Sequence, residues 1–101
     1  MIGEQQQILE VIYGAIDDIN RQLPAEQRLA KTPTTELYTE SSNMDSLGLV
    51  NLILSTEERL EDAFGVSISI SDQSVISRAS NPFRTVQTLA DFIEGKLRGA
   101  A

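Results

Sequence analysis

The sequence predicts an all-α fold: a small bundle of three longer helices and one short helix, with a long first loop. Three observations predict it. Apolar residues recur at near-helical spacing in three separate stretches. Those stretches are bounded by residues that start or stop helices. One run alone, Val66-Ser67-Ile68-Ser69-Ile70, alternates as a strand would, and no second such run exists to pair with it. The 101 residues fit one domain, 1–101, and 41% hydrophobic residues suffice for a core.

The first helix is expected from Gln5 to Leu23. Ile8, Ile12, Ala15, Ile16, Ile19 and Leu23 fall on one face, with Glu10, Asp17 and Arg21 opposite. Gly14 falls on the outer side, where it costs up to about 1 kcal/mol against Ala. Pro24 ends the helix by removing a donor and biasing Leu23 away from helical angles. Pro24 to Met44 then reads as a long connection, with Pro33, Thr34, Thr35, Ser41, Ser42 and Asn43 giving it loop character. It has room for a short helical turn between Pro24 and Ala30, and Leu29, Leu37 and Tyr38 pin it to the helices. Short loops join antiparallel neighbours, so a connection this long suits parallel or crossing helices.

The stretch from Asn43 to Val66 reads as one helix with a marked start and a marked stop. Asn43, Asp45 and Ser46 can accept hydrogen bonds from the first-turn amides. Gly65 can take the left-handed conformation that closes the last turn. Leu49, Ile53, Leu60 and Phe64 share one face with Thr56, while Asn51, Ser55, Glu58 and Asp62 line the other. Val66 to Ile70 is an extended connector. Ser71 or Asp72 caps a short helix through about Ser80, with Val75 and Ile76 facing in, and Asn81-Pro82 breaks it. Phe83 plugs the turn. Thr85 caps the last helix, whose inner face is Val86, Leu89, Ala90, Ile93 and Leu97, flanked by Phe92. Lys96 and Arg98 suit its C-terminal dipole, and Gly99-Ala100-Ala101 should fray.

Composition excludes several functions. Eight basic residues against fifteen acidic ones give a net charge of −7, which disfavours nucleic acid or an anionic membrane surface and favours partners with basic patches. Cys and His are both absent, which removes thiol catalysis, disulfides, zinc sites of the usual kind and His-based triads. Met1-Ile2-Gly3-Glu4-Gln5 lacks the pattern of a signal peptide, and Ile2 stands where myristoylation needs Gly. No apolar run is long enough to span a bilayer. A cytoplasmic location, no stable membrane insertion and a monomer are expected.

The residues that carry chemistry cluster at the start of the second helix. Ser46 is a hydroxyl at the mouth of a helix, beside Asp45. The plain reading of both is N-capping. Leu47, Val50 and Leu54 fall at i, i+3 and i+7 on the edge of the core face nearest the serine. They read either as core boundary or as an apolar docking strip or acyl-chain lining. Glu57, Glu58, Glu61 and Asp62 form an acidic cluster, read as a solvated face or as a steering surface for basic partners. A hydrolase-type serine has no Gly-x-Ser-x-Gly elbow and no His base here. Paired-carboxylate chemistry between Asp45 and Glu57 or Glu58 is poorly served, because about three helical turns separate them.

Taken together, these features resemble the acyl carrier protein family. The resemblance rests on Asp45-Ser46-Leu47 at a helix start, the long loop before it, the Leu/Val/Ile-rich helix ending in Phe64-Gly65, and the last helix after Thr85-Val86, in that order along nearly the whole chain. It implies a four-helix bundle of acyl-carrier type. It assigns to Ser46 the attachment of 4′-phosphopantetheine, transferred from coenzyme A by a phosphopantetheinyl transferase that also reads the flanking Asp45. It implies a carrier that is not itself an enzyme, delivering thioester-bound acyl groups to acyl-activating or acyl-transferring enzymes through Leu47, Val50, Leu54 and the acidic cluster. Aminoacyl, peptidyl and polyketide cargo stay open, as does a noncatalytic helical adaptor in which Ser46 is only a cap. The chain departs from housekeeping fatty acid carriers in three respects. Gly48 and Asn51 replace acidic residues near the helix start, the helix is about one turn longer, and Ser80 to Arg84 reads as added material. These departures point to a specialised carrier serving a dedicated pathway.

Overall fold

A computed structural model describes residues 3–42, 44–70 and 82–99. The helices are α1 (Glu4–Asn20), α2 (Ser46–Phe64) and α3 (Val86–Gly99), with a 3₁₀ turn at Ala25–Gln27. Among the described residues no strand forms; Glu36 and Thr85 make an isolated antiparallel bridge. The expected short helix from Ser71 to Ser80, with its Val75 and Ile76, lies outside the described residues, as does Asn43.

α1 packs against both α2 and α3, and this position sets the width of its buried stripe. Ile8, Val11, Ile12, Ala15 and Ile16 are buried, while Ile19 is only partly covered. Val11 joins the expected stripe because a helix gripped from two sides buries more than one narrow face. On α2, Leu49, Leu52, Ile53, Thr56 and Leu60 are buried and Phe64 is partly so. Leu52 was absent from the face drawn by spacing alone, and its full burial stabilises by about 1.5–3 kcal/mol. Thr56 satisfies its hydroxyl by donating to the Leu52 carbonyl at 2.7 Å. On α3, Val86, Leu89, Ala90 and Ile93 are buried as the spacing predicts. Ile68 and Ile70 of the extended connector, and Leu37 of the long loop, complete one core. Phe83 is fully buried and meets Phe92 edge-on at 6.3 Å between centroids.

Two boundaries differ from expectation. α1 ends at Asn20 rather than Leu23, because the next amides tighten: Gln22 donates to Ile19 and Leu23 to Asn20, each three residues back. The Asn20 side chain then acts as a surrogate strand partner, donating to the Leu29 carbonyl at 3.0 Å and accepting the Leu29 amide at 2.8 Å. The helical turn foreseen between Pro24 and Ala30 is three residues long.

The long loop is tied down at its far end as well. Leu37 and Tyr38 donate to the carbonyls of Arg84 and Phe83, and Val86 and Gln87 donate back to Thr35 and Pro33. Thr85 caps α3, its hydroxyl accepting the Thr88 amide at 3.1 Å. A loop that lends its carbonyls to a helix start is held by the bonds that buried or half-buried backbone requires.

A polar clamp joins α1 to α2. Asp18 accepts from Arg59 Nε and Nη2 at 3.0 and 2.9 Å and from Ser55 Oγ at 2.6 Å. Gly14 therefore does not face outward. A Cβ there would stand 2.7 Å from Arg59 Nη1 and 2.9 Å from its Cζ, so the missing side chain is the space in which the guanidinium lies. Ser55, expected on the outer face, is half-buried for the same reason.

Candidate functional site

The start of α2 is built by three residues. Asp45 is the N-cap, in extended conformation, and its Oδ1 accepts the Gly48 amide at 2.8 Å. Its carbonyl accepts the Leu49 amide at 3.0 Å. The capping role thus falls to Asp45, and Ser46 is the first helical residue. Ser46 is exposed, and among the described residues no hydrogen bond engages its hydroxyl. The Ser46 and Leu47 amides lie in the first turn, where the helix itself offers no acceptor. α2 carries no acidic residue in that turn. The carboxylate at its positive dipole end is that of the adjacent cap, Asp45.

Gly48 keeps this start compact. A Cβ on it would lie 3.1 Å from Met44 Cγ and 3.4 Å from Asp45 Oδ1. Met44 is buried beneath the cap. This small residue permits the close approach, a role that spacing alone does not reveal. At the other end Gly65 has φ +70° and donates to the Glu61 carbonyl at 2.9 Å, the left-handed closure expected of it.

Beyond the serine, Leu47, Val50 and Leu54 are 68%, 49% and 58% exposed. They stand on open surface rather than at the core edge, because the buried stripe of α2 runs through Leu49, Leu52 and Ile53 instead. Glu58, Glu61 and Asp62 are exposed. Glu57 is half-buried and accepts the Ile70 amide at 2.7 Å, so it anchors the connector that follows α2. Among the described residues no group of acids is arranged to hold a metal ion.

Two clefts flank the helix start, and Asp45 and Gly48 line both. One, of about 360 Å³, opens between the end of α1 and the long loop and includes Leu23, Leu29 and Met44. The other, of about 430 Å³, runs between α1 and α2 past Leu47 and Asn51. A larger groove of about 670 Å³ lies far along the chain from the serine, between Ser67–Ser69 and the Phe92–Gly99 side of α3.

The arrangement presents a primary hydroxyl in water, at the positive end of a 19-residue helix, next to an exposed apolar strip. The hydroxyl is open to reagents from solvent, and among the described residues no side chain bonds to it. No helix among the described residues is long and apolar enough to cross a membrane. No family model matches the chain, and no solved structure matches it.

Proposed function

We propose that this protein is a carrier that is not itself an enzyme, with Ser46 as the attachment point of 4′-phosphopantetheine. The observation that carries the reading is the division of labour at the helix start: Asp45 caps, and Ser46 is left exposed, its hydroxyl in no hydrogen bond among the described residues. A serine needed only to start the helix would be expected to cap it.

The residues suit the group. Ser46 and Leu47 contribute first-turn amides, and the helix dipole favours the negative charge of a phosphodiester. When bound, the arm supplies a thiol that holds acyl groups as thioesters, which a chain without Cys cannot do alone. In the loading step Ser46 Oγ forms the new O–P bond as the pyrophosphate link of coenzyme A breaks. The nucleotide half leaves, and the serine proton passes to a base of the transferase. Asp45 flanks the attacked position and is exposed for that enzyme to read.

Leu47, Val50 and Leu54 then form a docking strip for acyl-activating or acyl-transferring enzymes, since large exposed apolar side chains in a row are a mark of contact surfaces. Glu58, Glu61 and Asp62 steer basic partners, an effect on association rate more than on affinity. The acidic charge lies beyond the first turn, as suits a specialised carrier of a dedicated pathway in a four-helix bundle of the acyl-carrier type.

The test is intact mass after incubation with coenzyme A and a broad-specificity phosphopantetheinyl transferase. Wild type should gain one phosphopantetheine group and Ser46→Ala none. No gain on wild type would leave a helical adaptor as the better reading.

A further inference from the structure

We infer that the cleft between the end of α1 and the long loop is the resting site for the near half of an arm carried on Ser46. The inference rests on the carrier reading above and adds where this chain would keep the arm between encounters. The cleft measures about 360 Å³, within the range of small-molecule sites. Asp45 and Gly48, which precede and follow Ser46, are part of its wall. The near half of a pantetheine arm follows directly from that anchor.

The lining matches that half of the arm. Past the phosphoester methylene come geminal methyls, then a hydroxyl and an amide. Ile19, Leu23, Leu29 and Met44 supply apolar surface, and the Ser41 and Ser42 hydroxyls, which donate to Glu36 and to the Thr39 carbonyl, keep acceptor lone pairs for the arm's hydroxyl and amide protons. The competing cleft along α1 and α2 also touches Asp45 and Gly48, but its apolar share is Ile19, Leu23 and the open Leu47. Both clefts carry three carboxylates, Glu26, Glu36 and Asp45 in the first and Asp18, Asp45 and Glu58 in the second. The first also carries a cation, Arg28, whose Nε donates to the Leu23 carbonyl at 3.2 Å; the second has none in its lining. Arg28 offsets part of the negative charge of the first cleft's wall, which favours that cleft for an arm that follows a phosphodiester. The groove beside α3 includes no residue near Ser46.

Weak intrinsic affinity suffices. A short tether holds its far end at an effective concentration on the order of millimolar, so a site with about millimolar intrinsic affinity is filled about half the time. A site of that strength holds the arm without preventing its delivery.

The experiment loads isotope-labelled protein with unlabelled coenzyme A, verifies the mass, and compares loaded with unloaded protein by NMR. Nuclear Overhauser contacts are expected from the arm's geminal methyls to the Met44 methyl and to Leu23 or Leu29, with amide shifts at the same residues. In loaded Leu23→Ser the contacts to Met44 and Leu29 should be lost. A loaded protein whose shifts stay within residues 46–50, or whose arm contacts Phe92 or Leu47 instead, overturns the inference while leaving the carrier reading standing. If no group is added to wild type, both fail, and the mass measurement alone says so.

Discussion

Replacing Asp18 with Asn should weaken the α1–α2 clamp by an amount the geometry sets. The Arg59 hydrogen bonds, then that from Ser55, hold the Asp18 carboxyl down from 3.8 to about 2. At about 1.4 kcal/mol per unit, that shift corresponds to at most about 2.5 kcal/mol. Asp18 and Arg59 side chains remain 30% and 39% exposed, and screening by solvent reduces the figure to about 1–2 kcal/mol. The sign follows from the depressed folded-state value. The contribution is full above the ordinary carboxylate range and is lost as pH falls through about 4 toward about 2. Urea titrations at neutral pH, followed by far-ultraviolet circular dichroism, should show the Asp18→Asn midpoint lower by about 1 M, taking a slope of about 1–1.5 kcal/mol/M for a small domain. A carboxyl-carbon NMR titration of folded wild type should place Asp18 well below the ordinary carboxylate value of 3.8. An unchanged midpoint together with an ordinary Asp18 titration would refute the account of the clamp.

Three further substitutions test the helices directly. Gly14→Ala should lower wild-type stability by up to about 1 kcal/mol, because the gain in helix propensity does not offset the displaced Arg59, yet in an Arg59→Ala background it should raise stability by up to about 1 kcal/mol; thermal melts of the four proteins would show the reversal, and equal gains in both backgrounds would exclude a steric role for Arg59. Asp45→Ala should cost about 0.5–2 kcal/mol as a lost cap, whereas Ser46→Ala should be near neutral and fully folded by urea titration; the reverse ranking would return the capping role to Ser46.

Helix starts and stops were legible where one residue's own chemistry decides them. Asp45, Gly65 and Thr85 each act within one turn of the chain, so local spacing suffices. Phe83 and the α3 face were legible because apolar residues at helical spacing have little alternative to burial. The Asp18–Arg59 clamp was not, since 41 residues separate its partners and the helix crossing that joins them is a product of the whole core. A weak signal existed in Gly14, four residues before Asp18, and in Ser55, four before Arg59: each pair shares one helix face. The end of α1 was missed for a different reason. Pro24 marks where a helix must have stopped, while the 3₁₀ tightening after Asn20 depends on where the Asn20 side chain finds Leu29. At the candidate site, the spacing identified Leu47, Val50 and Leu54 as a row but not its exposure, because it did not show that Leu52 would take the inward position.

The contrast between two helix starts bears on the carrier reading. At α3 the first four amides are all taken: Val86 and Gln87 by the loop carbonyls of Thr35 and Pro33, Thr88 and Leu89 by the Thr85 hydroxyl and carbonyl. The chain can therefore close a helix start completely and bury its first residue, Val86. At α2 it does neither. Asp45 takes the Gly48 and Leu49 amides, and the residues at the two positions before them, Ser46 and Leu47, are exposed. At 68%, 49% and 58% exposed, Leu47, Val50 and Leu54 forgo roughly half or more of the about 1.5–3 kcal/mol that full burial of each would give. A carrier accounts for both features, because the open amides suit a phosphodiester and the apolar row is covered whenever a partner enzyme docks. A bare structural helix would leave the row as a liability. Loading of Ser46 and protection of Leu47, Val50 and Leu54 on partner binding should therefore occur together in this protein, and truncating any one of the row to Ala should cost the isolated fold less than about 1.5 kcal/mol, against about 2–5 kcal/mol at buried Leu52.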